Sequence, residues 1–283
     1  MLRRTFLYLS EQPQIFAFIR GNALARRLAS RFVAGETIDS AAAAVRELNG
    51  RGIAASLDLL GESVTKADEA RSCAETVTRI LARIAADRLE CNVSVKLTQL
   101  GLDLDRGLCL ENMRRILDRG RELGISVRID MESSAHTQRT LDLFEQDLLP
   151  GYGDKVGIVI QSYLRRSAAD IDRLIGLKAR VRLCKGAYQE PATIAFPDTA
   201  DVDRSYGELI EKLLERGHQP AVATHDPALI TRVRRFVESK GIAADKFEFQ
   251  MLYGIRRDLQ EELRRAGYRV RCTCRSAPSG IRT

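Results

Sequence analysis

The sequence has no run of about 18 or more apolar residues, the length a membrane-crossing helix requires, so no transmembrane helix is expected. The N-terminus, MLRRTFLYLSEQPQIFAFIR, places two arginines before apolar residues, but Glu11, Gln12 and Pro13 interrupt that stretch and no small-residue cleavage site follows. A secretory signal is therefore not expected. No low-complexity linker divides the chain, no phosphate-loop motif occurs, and no His, Cys or carboxylate set has metal-ligand spacing, so no metal is expected. The net charge is +7, yet the positive residues form no tract interleaved with aromatics, so nucleic acid is not an expected partner. Arginine-bearing helix faces account for the charge, with attraction to an anionic membrane surface as the next reading. The six cysteines (Cys73, Cys91, Cys109, Cys184, Cys272, Cys274) are scattered, and only the last two lie close together. That usage fits reduced thiols and a cytoplasmic location.

What is present is a rhythm. The 283 residues, 45% of them apolar, suffice for a single barrel of parallel strands and helices, which takes about 250 residues. Residues 14–50 read as helical, with Ala-rich sequence at Ala41 to Ala44. From Ile53 onward, short β-rich apolar runs occur near 53–60, 91–98, 125–131, 157–163, 180–185, 220–224 and 246–252. Each is followed by a charged amphipathic segment, and the 23 to 40 residues between run starts are the interval of a βα unit. Runs such as IAASLDLL and VGIVIQSY are read as apolar on both faces, as in buried parallel strands. Glu111–Leu123, Ala168–Leu177 and Pro227–Lys240 carry apolar residues three and four apart, predicting helices. Asp226 before Pro227 supplies an N-cap and a first-turn proline, and Gly124 and Gly241 sit where helices should end.

Successive βα units fit a barrel or a doubly wound sheet, and the placement of polar residues favours the barrel. They gather at the C-terminal ends of the runs: Asp58 and Glu62, Lys96, Asp130 and Glu132, Gln161 and Tyr163, Lys185, Thr224 to Asp226, and Gln250. In a barrel these surround one pit at the face where such enzymes do chemistry. A doubly wound sheet would spread them along an edge, and no G-x-G-x-x-G follows the first strand.

Seven segments are more specific: SLDLLGE (56–62), VSVKLTQLG (93–101), RIDME (128–132), IQSY (160–163), RLCKGAY (182–188), ATHD (223–226) and FEFQML (247–252). Their order and spacing, from about Pro13 to Arg271, resemble the proline dehydrogenase family. The resemblance implies a (β/α)₈ TIM-type barrel with N-terminal helices, FAD at its C-terminal face, oxidation of L-proline to 1-pyrroline-5-carboxylate, and a membrane quinone as electron acceptor. It implies attachment to the inner membrane face, peripherally, through that quinone. Asp130 and Arg182 match catalytic positions, with Arg182 near the reactive flavin nitrogen and Lys96 or Arg182 as the expected partner of Asp130. Lys96, Tyr163 and Leu252 match substrate-side positions. Met131, Gln161, Lys185, Gly186, Ala187, Thr224, His225 and Gln250 match cofactor contacts, the lysine suiting a pyrophosphate. Several have plainer readings: a structural salt bridge for Asp130, a core aromatic for Tyr163, a core strand for Gln250 and Leu252. His136 and His218 match nothing and read as surface residues.

The resemblance stops after GYRVR (267–271), where the family continues with a strand like VYVPFGTEWYPY and a helix bearing an arginine pair for the substrate carboxylate. Here the chain reads CTCRSAPSGIRT, which shows no obvious strand pattern, has Pro278 and Gly280 to break one, and puts Arg275 where a buried sheet would not tolerate it. The genetic code offers a reason. Codons allowed for Cys272 to Thr283, read from the last base of the Arg271 codon, permit that family segment residue for residue. The expected organisation is thus an N-terminal helical segment (1–50), a barrel (51–271) lacking a normal eighth βα unit, and an aberrant, frameshifted tail (272–283). Two other functions compete: a non-catalytic truncated barrel, and a Schiff-base aldolase using Lys96 or Lys185.

Overall fold

The computed structural model describes residues 37–61 and 64–276. Its first helix, α1 (Ile38–Gly50), starts where Thr37 accepts a hydrogen bond from the Ser40 N–H at 3.1 Å. The rest of the expected N-terminal helical stretch lies outside the described residues, as do Glu62, Pro278 and Gly280.

The chain then alternates strand and helix through β1 (Ala54–Leu59), α2 (Ala67–Ala86), β2 (Cys91–Val95), α3 (Arg106–Glu122), β3 (Val127–Ile129) and α4 (Ser134–Asp142). It continues through a short α5 (Leu149–Tyr152), β4 (Val156–Gln161), α6 (Ser167–Gly176), β5 (Arg180–Cys184) and α7 (Thr199–Arg216). It ends with β6 (His218–Ala223), α8 (Pro227–Lys240), β7 (Glu248–Leu252), α9 (Arg257–Arg265) and β8 (Val270–Ser276). Side-chain caps mark helix starts: Asp105 accepts from Leu108 N–H at 2.7 Å ahead of α3, and Asp226 from Ala228 N–H at 3.0 Å ahead of α8. Gly241, at φ +63°, closes α8 in the left-handed conformation that glycine adopts without strain.

All eight strands are parallel and hydrogen-bonded in sequence order into a closed barrel. The tail was expected not to supply the eighth strand, and the structure corrects this. Val270–Ser276 pairs with β7 on one side, Phe249 opposite Val270, and with β1 on the other, Ala55 opposite Cys272 and Asp58 opposite Arg275. The reason is that VRCTCRS alternates. Val270, Cys272, Cys274 and Ser276 are buried at one parity, while Arg271, Thr273 and Arg275 occupy the other. Cysteine acts here as a small hydrophobe. Arg275 is not buried in the sheet, because its strand reaches the barrel mouth and leaves its side chain 51% exposed. No helix follows β8 among the described residues.

The reading of strands as apolar on both faces also needs correcting. Alternate residues of a barrel strand face the helices or the axis. The helix-facing set is apolar: Ala55, Leu57, Val93, Val95, Val127, Ile129, Ile158, Ile160, Val181, Leu183, Phe249 and Met251, all buried. The axis-facing set is largely polar, although Ala54, Gly157, Val159, Ala221 and Ala223 also belong to it, so the reading as apolar on both faces holds for β4 as far as Gln161. Hydrogen bonds between strands that are not neighbours establish which set faces the axis, because they must cross the interior: Arg182 of β5 donates to Ser94 Oγ of β2 at 3.3 Å, and Arg128 of β3 to the Arg180 carbonyl of β5 at 2.7 Å. Barrel interiors are commonly filled by branched aliphatic residues. This one holds serines, carboxylates and guanidinium groups beside Ala54, Val159 and Ala221.

Candidate active site

At the C-terminal ends of the strands these polar residues converge. Asp130, immediately after β3, is fixed by its own N–H, which donates to Val95 O at 2.9 Å. Its carboxylate accepts from Arg182 Nη1 at 2.9 Å across the barrel, with the Arg182 side chain 8% and the Asp130 side chain 18% exposed. Of the two partners expected for Asp130, the structure selects Arg182.

Lys96 instead meets Asp58 on the adjacent strand, Nζ to Oδ1 at 3.1 Å. Asp58 is buried, and burial pushes its carboxyl pKa up against the pull of Lys96. Burial acts the other way on Lys96, but Asp58 and then Asp130 outweigh it and hold the ammonium above its ordinary range. A third cation comes from β8, with Arg275 Nε 3.7 Å from Asp58 Oδ2. Sequence reasoning placed Asp58 at a strand end without giving it a role, and placed Arg275 outside the fold. The signal for Asp58 was its position: it opposes Ser94 in register, two residues before Lys96. The mouth thus holds the cations Lys96, Arg182 and Arg275 against the carboxylates Asp58 and Asp130. That leaves one positive charge to be met by an anionic ligand.

Around this cluster lie the other expected residues. Gln161 donates Nε2 to Met131 O at 3.2 Å, and Met131 is itself buried. Gln250 donates to Glu248 Oε1 at 2.5 Å. Among the buried polar atoms without a hydrogen-bond partner are Gln161 Oε1, Gln250 Oε1 and Arg182 Nε. Two acceptors and a charged donor left without partners at one mouth match a planar heterocycle that carries both N–H and carbonyl or imine edges, since buried polar groups are otherwise paired. His225 accepts the Leu252 N–H through Nε2 at 2.8 Å, which fixes its proton on Nδ1. Burial, and then Arg256, lowers its pKa. Thr224 Oγ1 accepts from Asp226 N–H at 3.1 Å, which shapes the turn into α8.

Lys185 follows β5 and ion-pairs with Asp203 at 2.5 Å and Asp226 at 2.9 Å. Asp203 is a further residue the sequence did not single out. Next to it Gly186 has φ +104°, and a Cβ there would run into the Tyr163 ring. Glycine is therefore required both by backbone conformation and by the tyrosine seated against it. Tyr163 is buried and burial raises its pKa, while Ala187 is exposed on the same loop and Leu252 is half-buried at the end of β7. The Glu132 carboxylate is taken up by Thr98, accepting from its N–H at 3.2 Å and its Oγ1 at 2.6 Å. The two unassigned histidines pair with aspartates, His136 with Asp103 at 3.1 Å and His218 with Asp154 at 2.8 Å. The described residues contain no group of three or more His, Cys, Asp or Glu able to hold a metal.

The profile of the family described as Proline dehydrogenase matches residues 41–280. The chain belongs to the proline dehydrogenase family. It is 43% identical over 272 residues to proline dehydrogenase 1 of Bacillus subtilis subsp. natto, covering 96% of this chain and 89% of that protein. It is likewise 43% identical over 275 residues to the proline dehydrogenase of Deinococcus radiodurans, covering 96% and 88%. Among solved structures, proline utilization A (PutA) from Bdellovibrio bacteriovorus inactivated by N-propargylglycine superposes with a TM-score of 0.83 at 26% identity. That match covers 89% of this chain and 31% of the larger PutA chain. Membership in this oxidoreductase family accords with a closed parallel barrel whose polar groups meet at the C-terminal mouth. No described helix is long and apolar enough to cross a membrane.

Proposed function

We propose that this chain oxidises L-proline to 1-pyrroline-5-carboxylate with FAD bound at the C-terminal mouth, and that the electrons pass to a quinone at the inner membrane surface. The observation that carries the reading is the pair of crossed ion pairs, Arg182–Asp130 and Lys96–Asp58, with Arg275 as an extra cation at the same mouth. A proline zwitterion brings a carboxylate and a ring ammonium. Lys96 and Arg275 suit the carboxylate, and Asp130, whose Oδ1 is held by Arg182, presents Oδ2 to the ring ammonium. Tyr163 and Leu252 would wall the substrate pocket.

FAD would supply a two-electron acceptor for the hydride that leaves a ring carbon beside the nitrogen. Gln161, Gln250 and Arg182, each with an unpartnered polar atom, would hold its ring edges, together with Met131, Thr224 and His225. Arg182 is a fixed cation where negative charge accumulates as the ring is reduced, and preorganised charge of this kind is worth most in a water-poor site. Lys185, Gly186 and Ala187 would border the pyrophosphate, with Lys185 exchanging one of its two aspartates for phosphate oxygen. A Schiff-base role for Lys96 is disfavoured, because a lysine held protonated by Asp58 and Asp130 is a poor nucleophile.

Purified protein should be yellow, show a flavin spectrum, and reduce an artificial dye in a proline-dependent way. A colourless protein that fails to take up added FAD would remove the cofactor assignment. A flavin-loaded protein inert to proline but active on another amine would remove the substrate.

A further inference from the structure

The end of the barrel opposite the mouth also carries excess charge. Arg128, Arg180, Arg269 and Arg271 share one interior carboxylate there. Arg271 Nε bonds Glu248 Oε1 at 2.9 Å, and Arg269 Nη2 approaches Glu248 Oε2 at 3.8 Å. Arg128 and Arg180 take part in no salt bridge among the described residues. Arg128 Nη1 donates to the carbonyls of Ile158 at 3.3 Å and Arg180 at 2.7 Å, and Arg180 Nη1 to the Asp154 carbonyl at 3.0 Å. The Nε of both is buried without a partner. The Asp154 carboxylate, the next acid along, is bonded to His218.

The sequence makes room for this arrangement. A Cβ on Gly157 would lie 2.6 Å from Arg128 Nη1, so the absence of a side chain on β4 is what seats the guanidinium inside the barrel. A cleft of about 460 Å³ opens at this end; of these four arginines Arg271 reaches its wall, beside Arg88, Asn92, Ser126 and a second carboxylate, Glu90. Arginine does not shed its proton in proteins, and a buried charge without a counter-charge is strongly destabilising. Burial, and then the positive Arg182 and Arg180, push Arg128 well below its ordinary range, a measure of how poorly its charge is met.

We infer that the N-terminal end of the barrel binds a small oxyanion, phosphate or carboxylate, between the guanidinium groups of Arg128, Arg180 and Arg271. An oxyanion fits better than a halide because the unpartnered Nε–H belongs to a planar fork whose geometry matches paired oxygens. The site lies across the barrel from the proposed proline pocket and does not depend on that function.

The test is thermal unfolding of the full chain in sodium phosphate, sodium acetate and sodium chloride at matched ionic strength. A ligand that binds only the folded state raises the melting temperature with saturation. Phosphate or acetate should give a saturating rise of several degrees over chloride, and whichever acts identifies the ligand as phosphate or carboxylate. Arg128→Met and Arg180→Met should each weaken the apparent affinity at least tenfold, whereas Lys240→Met, a half-exposed surface lysine paired with Glu215, should leave it unchanged. If Arg128→Met does not fold, Arg180→Met decides. Three salts acting alike on the wild type, or a shift that survives in the folded arginine variants, would overturn the proposal.

Discussion

Arg275 on the last strand stands directly across from Asp58 on the first, its Nε 3.7 Å from the carboxylate, at the seam where the barrel closes. The seam has a chemical reporter. Cys272 and Cys274 are buried on the helix-facing side of β8, and burial pushes the Cys272 thiol up to about 12 and Cys274 higher still. The thiolate is the reactive form, so both should resist a thiol reagent in the native protein as firmly as Cys109, and react only on unfolding. Mass spectrometry after brief alkylation checks this. Selective native-state labelling of Cys272 and Cys274 would mean that β8 is not seated against β1 and β7.

The Arg182–Asp130 pair should dominate turnover. Asp130→Asn keeps the shape and removes the charge, and should lower proline-dependent dye reduction by about 10²-fold or more while flavin binding persists. Asp130→Ala should in addition destabilise the fold, because truncating one partner of a buried pair costs roughly 3–5 kcal/mol. The Asp130 side chain keeps 18% of its exposure, which places the loss at the low end of that range. Steady-state kinetics beside a melting curve separates the effects. Near-normal turnover in Asp130→Asn would show that the carboxylate only shapes the pocket.

Arg275 should act on binding rather than chemistry. Its side chain is half-exposed and its contact with Asp58 is long, so removal leaves little unpaired. A charge-assisted hydrogen bond to a carboxylate contributes about 1.5–3 kcal/mol, so Arg275→Ala should raise KM for proline roughly tenfold or more with kcat little changed. An unchanged KM would place the substrate carboxylate on Lys96 alone.

Much of this was legible in the sequence because the signals were local and repeated. The runs near 91–98, 157–163 and 246–252 became β2, β4 and β7, and Pro227–Lys240 became a helix with the expected limits. Strand-end polarity pointed to Lys96, Asp130, Gln161, Thr224, His225 and Gln250 sharing one face, and the family resemblance added Arg182. What escaped was the pairing of side chains between strands. Nothing along the chain says that Lys96 meets Asp58 while Asp130 meets Arg182, since that choice depends on strand stagger. The inward polar face was hidden because Ser56, Ser94 and Gly157 interrupt apolar runs too briefly to look like alternation. VRCTCRS was missed as a strand because its outward positions are cysteines rather than valines or isoleucines. The burial pattern shows them filling the same place.

His225 should give the fold an acid limit. Its neutral Nε2 accepts from Leu252 N–H, and its pKa lies below the ordinary histidine value because of burial and Arg256. Below about pH 6.5 the unfolded chain takes up a proton that the folded chain refuses, so the unfolded state binds more protons and stability rises with pH. The contribution is therefore present above the unfolded pKa and is lost as pH falls through the lower, folded one. Denaturant unfolding between pH 5 and 7.5 should show this slope, and His225→Gln, which keeps an acceptor but does not titrate, should flatten it. Identical slopes in both proteins would dissociate His225 from the acid response.

The final prediction concerns the tail, for which we propose a single-base frameshift within codon 271. The shifted frame puts valine at positions 272 and 274, where this chain has Cys272 and Cys274, so both frames alternate small apolar residues outward along β8. That coincidence explains why the strand forms here, and it limits the expected loss of stability to less than that of a missing strand. The active site is affected differently. The restored frame has proline at 275 instead of Arg275, which removes a cation beside Asp58, and it leads into the family's helix with an arginine pair for the substrate carboxylate. Two charge-assisted contacts at about 1.5–3 kcal/mol each amount to roughly two orders of magnitude or more in proline binding. The chain as given should therefore bind FAD but use proline at least about 10²-fold less efficiently than the frame-restored chain, with only a modest gap in melting temperature. Sequencing the gene across codon 271 and assaying both proteins side by side tests this. Equal kcat/KM would make CTCRSAPSGIRT a legitimate ending, with Arg275 sufficient for the carboxylate.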